Sequence, residues 1–443
     1  MMAMHIGIVG AGLGGSMMAL YLARDGHRVE VFESRRDPRV EDISETSMNL
    51  GLSYRGLAAL RALDLADEVM ALAIPMAGRV IHPASGGRIF QAYGRRQGEG
   101  IQAIRRGDIN AILVAAASAH PGVQFHFQSR CQGLERDAPL LRVTDSAGQI
   151  EEHRFDFLIG ADGVFSTLRG ALQRGLPANY SQDYLPWGWK ELTIPPAPDG
   201  GPRMEKNAFH LWPRGGSMMF AHPNRDGSFT CSLVLPWSGP GSFEALADGA
   251  ALRRFFAATF PDLGGLLPDL EQQFRERPVI PLVTVRTSPW SYRDRVVLLG
   301  DSAHAVVPFY AQGMNSAFED CATLADCLRR HGTDRRAAFV EYEAIRRPNT
   351  DALSEMSKEN FEELRDGVRS PWLRAHKRLN LFLHRLLGAR WMPLHARVTN
   401  TSSPYARARQ LDRRQNRILA GVGLALAMVV LWSLLHVLTA SGG

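Results

Sequence analysis

At 443 residues the chain is long enough for two or three hydrophobic cores, and a composition 45% hydrophobic and 22% charged excludes a disordered chain. Four cysteines, Cys131, Cys231, Cys321 and Cys327, stand singly with no Cys-x-x-Cys pair, which argues against a disulfide framework or a zinc site and suits a reducing compartment. The formal net charge of +6 is unevenly placed: thirteen Lys or Arg lie between Arg365 and Arg417 against only Asp366 and Asp412. No aromatic and glycine pattern of an RNA-binding sheet accompanies that basic stretch, and an apolar segment follows it directly. A membrane surface is therefore expected as its partner, and nucleic acid is not.

The chain opens on an apolar strand, His5 to Val9, followed by Gly10-Ala11-Gly12-Leu13-Gly14-Gly15, a helix from about Ser16 to Arg24, and a second strand, Val29 to Phe32, that stops at Glu33. This is G-x-G-x-x-G in strand, turn, helix, strand context. The glycines at 10, 12 and 15 permit a tight turn and close approach of a pyrophosphate to a helix N-terminus, while Glu33 can accept ribose hydroxyls. NAD(P) and FAD both fit that fingerprint.

Between Pro75 and Tyr93 the alternation of strands and helices stops. Arg79 to His82 and Arg88 to Phe90 flank Ser85-Gly86-Gly87 and predict a hairpin centred on Gly86. Arg79 and Tyr93 then lie equally far from the centre, where a guanidinium fork and a phenol can meet one carboxylate. Next come Arg106, a helix over Ile109 to Ala119 begun by Asp108, and a strand over Val123 to Phe127. Phe155 to Gly160 is a further apolar strand, ending in Asp162-Gly163, with Ser166 and Arg169 on the helix after it.

From Trp187 to Pro281 short extended runs, broken by Pro, Gly and Asn-Arg-Asp-Gly, predict a second, antiparallel sheet. Trp187-Gly188-Trp189 is similar to the tryptophan motif of flavin-dependent halogenases, but Glu191 stands where that pattern wants isoleucine, and both tryptophans are read as packing. The stretch Val296 to Cys321 predicts a strand, the sharp turn Gly300-Asp301, an apolar and aromatic loop from Val306 to Tyr310, and a helix beginning near Met314. Backbone N–H groups at Gln312 to Asn315 can hold something electron-rich. His304 is read as capping or packing, and no general base is assigned. Helical patterns follow to His384, then a Pro-containing segment from Trp391 to Pro404. Ile418 to Leu438 is almost purely apolar, about 30 Å long as a helix, which is the thickness of a hydrocarbon core. Its arginine flank on one side places the body in the cytoplasm, at an inner membrane if the chain is bacterial.

The three strand-end motifs, Gly10 to Gly15, Asp162-Gly163 and Gly300-Asp301, in this order resemble those of the single-component FAD-dependent aromatic hydroxylases, the p-hydroxybenzoate hydroxylase-like family. The resemblance covers residues 5 to 325. It implies an α/β fold: a discontinuous Rossmann-like FAD-binding domain (1–75, 100–180 and 286–330), an antiparallel β-sheet substrate domain (76–99 and 181–285), a C-terminal helical region (331–415) and a transmembrane anchor (418–438). It implies FAD as cofactor, held by Gly10, Gly12, Leu13, Gly14, Gly15, Glu33, Arg35, Gly51, Arg106, Asp162, Asp301, Gly313, Met314 and Asn315. NADPH is implied as a transient co-substrate, since only one G-x-G-x-x-G is present, with O2 as the oxidant and no metal.

Within that family Ser47 to Leu50, Ile74 to Met76, Glu191 to Pro196, Leu211 to Arg214, Ser228 to Cys231 and Pro308 to Asn315 resemble the kynurenine 3-monooxygenase branch. That likeness implies hydroxylation of L-kynurenine in tryptophan catabolism. It implies that Arg79 and Tyr93 hold the substrate carboxylate, that Asn360 touches substrate, and that Phe229, Phe309, Tyr310 and Gln312 line the cavity. One departure stands out: the branch has a substrate-contacting tyrosine in Pro-Leu-Tyr, where this chain has Pro393-Leu394-His395. Two other readings remain: a hydroxylase of another tryptophan-derived aromatic, as in violacein biosynthesis, or a membrane-tethered flavoprotein that does not hydroxylate.

Overall fold

The computed structural model describes residues 3–40, 48–93, 100–174, 177–366 and 371–440. Ser47, part of one of the stretches above, and residues 94–99 of the 76–99 segment lie outside them. Six strands form one sheet in the order Ser291–Tyr292, Val296–Leu298, Phe157–Gly160, His5–Val9, Arg28–Glu33, Val123–Phe127, parallel except at its first pair. Register sets Val9 beside Gly160 and Phe32, and Gly160 beside Leu298. Parallel strands end on one edge, so all three motifs meet where the strand order reverses, which is where open α/β sheets bind ligands. The helix Leu13–Arg24 is buried along nearly its whole length, packed between the helices Arg106–Ser118 and Gly313–His331.

A second sheet has seven strands, Ile280–Ser288, Asn179–Ile194, Phe229–Pro236, Met218–Pro223, Ala208–Pro213, Gly78–Ile81 and Ile89–Ala92. Its pairings are antiparallel except where Ala208–Pro213 runs parallel to Gly78–Ile81, so the sheet is mixed. A crossover of over a hundred residues separates those two strands, and only tertiary packing sets their relative direction. Two of its strands run across residues 180 and 286, where the sequence suggests divisions. One face carries Leu192, Ile194, Phe229, Cys231 and Leu233, packed with Leu252, Phe256 and Phe274. The last three belong to the helices Gly249–Thr259 and Leu270–Glu276, which lie inside the region read as β-rich. The other face carries Trp189, Leu211, Phe220 and Val234 against Phe309 and Phe361. A three-stranded antiparallel sheet over Arg130–Glu135, Leu140–Thr144 and Ile150–Arg154 is also absent from the sequence reading.

The C-terminal region comprises the helices Arg335–Asp366, Pro371–Leu387 and Leu394–Asn400 and a terminal helix, Tyr405–Ala440. The terminal helix starts thirteen residues before Ile418: Tyr405 and Ala408 are fully buried and Gln415 nearly so, whereas Ile418, Leu424, Leu426 and Val430 are exposed. It is long and apolar enough to cross a membrane. All four cysteines are free thiols, three of them buried.

Burial shapes the protonation of the second sheet. His82 and His222 are both pushed down to about 4, His82 by burial and by neighbouring His210, His222 by burial alone. Unfolded histidines take up protons near their usual pH and the folded ones refuse them, so stability is lost as pH falls from about 6.5 toward 4. In thermal melts across that window Tm should fall, and His222→Leu, which keeps the packing against Phe209 and Phe220, should make the fall shallower.

Candidate active site

The glycine-rich turn is built for close approach. Gly10 has φ +102°, and a Cβ on Gly15 would sit 1.9 Å from the Gly10 carbonyl oxygen, so the helix start presses directly on the turn. On Gly14 a Cβ would meet Leu299 at 2.9 Å, whereas on Gly12 it would meet nothing within 4 Å. The turn is thus tight on its protein side and open on the other. No side chain caps the helix that begins at Leu13, leaving its first N–H groups for an anion. Glu33 accepts from the Ala11 N–H at 2.9 Å and from Arg35 Nε at 3.0 Å. Burial opposes its charge, but the hydrogen bonds from Arg35 and Ala11 hold it below the usual carboxylate range.

Arg106 and Asp301 are open to solvent along the chain's surface profile, yet both feel strong desolvation, which lowers Arg106 and raises Asp301. Solvent access with protein on most sides describes a deep cleft. Arg106 shares it electrostatically with Arg35, Asp301, Glu33 and Glu191, brought together from four separate places in the chain. Arg106 is the first residue of the helix Arg106–Ser118 rather than preceding it, and its N–H donates to the Met48 carbonyl at 2.9 Å. Glu191, which the sequence marks as a departure from the tryptophan motif and as the start of one family-like stretch, is pushed up to about 7 by burial, and its Oε1 has no partner.

Not every expected cofactor residue points its side chain there. Asp162 accepts from Ser166 Oγ at 2.5 Å and from the Thr167 and Leu168 N–H groups at 2.7 and 3.1 Å, so its carboxylate caps the helix Thr167–Gln173. Asn315 is fully buried, accepting from the Ser53 N–H at 2.9 Å and donating to the Gly51 carbonyl at 2.8 Å. A Cβ on Gly51 would meet Ile101 at 2.8 Å and Ala311 at 3.1 Å. These contacts fasten the strand Asn49–Leu52 to the start of the helix at Gly313 and Met314, whose N-terminus also lacks a side-chain cap.

Around the central loop, Phe309 packs on Phe361 at 4.5 Å between ring centres, and Asn360 donates to the Phe309 carbonyl at 2.7 Å. Asn360 therefore fastens the loop in this structure. Gln312 accepts from the Tyr405 hydroxyl at 2.9 Å, while its Nε2 is buried without a partner. His304 bonds to Asp320 at 2.6 Å and packs on Trp290.

The hairpin differs from its expected register. Arg79 stands opposite Gln91, not Tyr93, and its Nε donates to Gln91 Oε1 at 2.8 Å. The Tyr93 N–H bonds to the Ala77 carbonyl at 3.0 Å, so Arg79 and Tyr93 are diagonal neighbours on one face of the sheet. The two-glycine turn lies one residue off centre, which symmetry about Gly86 does not reveal. Tyr93 stacks on His395 at 5.5 Å, and Tyr310 lies 5.8 Å from the same ring. Burial pushes Tyr93 up to about 12 and, together with Arg79, pushes His395 down to about 3. Both are neutral near pH 7, beside the Arg79 guanidinium; Lys377 also lowers His395.

Phe229 is placed elsewhere: it lies on the sheet face turned away from Phe309, against His210 and the Leu252–Phe274 core. Strand side chains alternate, so its face depends on a register that one residue reverses. Gln91, Phe361 and Tyr405 join the site without a local sequence signal.

A family model described as FAD binding domain matches residues 3–357. A kynurenine 3-monooxygenase of Salinispora arenicola is 51% identical over 95% of this chain and 94% of its own length, and one of Myxococcus xanthus is 42% identical over 93% and 89%. The chain belongs to the kynurenine 3-monooxygenase family. It is an FAD-dependent monooxygenase. Among solved structures, 2-methyl-3-hydroxypyridine-5-carboxylic acid oxygenase is 20% identical with a TM-score of 0.67, covering 84% of this chain and 95% of that one. PqsL of Pseudomonas aeruginosa in complex with 2-aminobenzoylacetate is 22% identical with a TM-score of 0.67, over 82% and 97%. Both share the fold.

The tight glycine turn, the open helix N-terminus and the Arg106–Asp301 cleft fit FAD. Gly15→Ala should abolish flavin retention, because the added Cβ cannot coexist with the Gly10 carbonyl; the flavin absorbance of the purified variant against total protein measures this.

Proposed function

We propose that the protein hydroxylates L-kynurenine on its aromatic ring, consuming NADPH and O2. FAD, when bound, supplies the redox chemistry that takes electrons from NADPH and activates O2. The observation that carries the substrate reading is the grouping of Arg79, Tyr93 and His395 beside the Phe309–Tyr310 loop. The Arg79 guanidinium and neutral polar rings suit a carboxylate: the guanidinium supplies charge, and the neutral phenol and imidazole each supply one donor.

On this reading Arg79 and Tyr93 hold the amino-acid end of the substrate. Neutral His395 takes the position of the family's tyrosine, keeping an aromatic ring and one N–H donor. Phe309, Tyr310 and Phe361 form an apolar wall for the aryl ring, and Gln312 Nε2 offers a donor at the cavity edge. Apolar walls exclude water and fix the ring's orientation, which is the larger part of what a protein contributes to a cofactor's chemistry. Gly10 to Gly15, Glu33 and Arg35 hold the adenosine end of FAD, Arg106 and Asp301 its middle, and Gly313 to Asn315 its ring system. Asp162 acts there through the helix it caps. The terminal helix anchors the body to a bilayer, with the arginines before Ile418 on the cytoplasmic side.

Purified protein should oxidise NADPH faster when L-kynurenine is added, and the product should be heavier by one oxygen. Absence of both effects overturns the substrate, and acceleration by a different tryptophan-derived aromatic would favour the second reading that His395 keeps open. Arg79→Ala should keep its flavin and raise the substrate KM about 10–100-fold, the value of a charge-assisted hydrogen bond.

A further inference from the structure

The helix Pro371–Leu387 carries an apolar stripe that none of the described residues covers. Leu379, Phe382 and Leu386, spaced three and four residues apart, share one helix face and are 44%, 59% and 69% exposed. Those values match the lipid-type side chains of the terminal helix, where Leu426 is 61% and Val430 58% exposed. Lys377, Asn380 and His384, on the other side, are tied to neighbouring segments, although Leu381 beside them is also 49% exposed. Lys377 pairs with Glu363, Asn380 Oδ1 accepts from Trp391 Nε1 at 2.9 Å, and His384 Nδ1 bonds to the Trp391 carbonyl at 2.8 Å. The stripe must therefore face outward.

Its height on the molecule is also determined. With its amide turned to satisfy both groups, Gln415 pairs with the backbone of Met392 at 3.2 and 3.3 Å. Met392 follows Trp391, which is bonded to Asn380 and His384. The end of the helix Pro371–Leu387 thus lies level with Gln415, the last nearly buried residue of the terminal helix. The apolar run begins three residues later at Ile418, about 4.5 Å along the axis. Arg378 and Arg385 border the stripe, and Arg390, Arg413, Arg414 and Arg417 are exposed at the same level.

We propose that the helix Pro371–Leu387 lies in the surface of the bilayer that the terminal helix crosses, with Leu379, Phe382 and Leu386 at the boundary of headgroups and acyl chains and the arginines among anionic headgroups. An amphipathic helix with a basic flank rests its apolar face in that boundary, and the terminal helix enters the boundary beside this one. The inference rests on the reading that the terminal helix spans a bilayer. It gives the protein a second membrane contact and fixes the body's tilt, because two contacts restrain an orientation that one helix leaves free. The helix leads through Trp391 to His395, so the substrate-facing segment is fastened at the membrane surface.

The test uses the full chain carrying FAD, reconstituted in vesicles of phosphatidylcholine and phosphatidylglycerol. An environment-sensitive fluorophore is attached at Phe382→Cys, at Leu426→Cys in the terminal helix, or at Ile150→Cys, an exposed site on the three-stranded sheet; labelled wild-type chain gives the background. Lipids carrying a nitroxide near the carbonyl should quench the Phe382 probe at least about twofold and leave the Ile150 probe unchanged, the pattern of an interfacial helix. The Leu426 probe should be quenched by a nitroxide deeper in the chain. Quenching at Leu426 without quenching at Phe382 overturns the inference while the anchor stands. A blue-shifted but unquenched Phe382 probe means that another copy of the chain covers the stripe, which also overturns it. No quenching at Leu426 removes the anchor reading, and the inference falls with it.

Discussion

A buried carboxylate holds this structure together. Asp320 is fully buried, and accepts from His304 Nε2 at 2.6 Å, from Arg346 Nε at 2.6 Å and from the Gly300 N–H at 3.2 Å. Burial works against its charge, yet His304 and Arg346 hold it below the usual range. Arg346 also reaches Glu319 at 3.0 Å, and Glu319 reaches Arg55 at 2.8 Å. Arg55 donates to the carbonyls of Val398, Thr401 and Ser403 and lies 3.9 Å from the centre of the Tyr405 ring. Taking one member from such a network costs about 3–5 kcal/mol, because the remaining charges cannot reach water.

The site inherits its geometry from that chain of contacts. It joins the Gly300-Asp301 turn, the helix Gly313–His331 and the segment that opens the terminal helix, and it ends on the Tyr405 hydroxyl that holds Gln312. Gln312 and the terminal helix are therefore joined through one network of contacts. Burial meanwhile removes charge from the pocket's rings, leaving the guanidinium of Arg79 as the fixed charge beside neutral Tyr93 and neutral His395. A histidine in place of a tyrosine thus changes reach and shape but adds no cation.

Much of the nucleotide half was legible because its signals are local. Glycine spacing, a strand ending at Glu33 and apolar runs ending in Asp-Gly or Gly-Asp each determine a few neighbouring residues, and parallel pairing then brings the ends together. The substrate half was legible only in parts. Arg79, Tyr93 and His395 were identified by resemblance, and they do come together, but the hairpin register, the face on which Phe229 lies and the direction of the Gly78–Ile81 pairing were not readable. Each depends on strands far apart in sequence, and alternation makes a one-residue error send a side chain to the other face.

By itself the sequence determined the dinucleotide turn, the strand, turn, helix, strand order that carries it, and an apolar terminal helix of membrane length, since these rest on spacing and composition within short windows. Tertiary structure alone decided that Asp162 caps a helix, that Arg79 faces Gln91 with Tyr93 on the diagonal, that His395 is neutral, and that Tyr405 orients Gln312. Protonation and side-chain direction depend on what distant segments bring close, on how much water they exclude and on which partners they leave. No window of the chain contains that information.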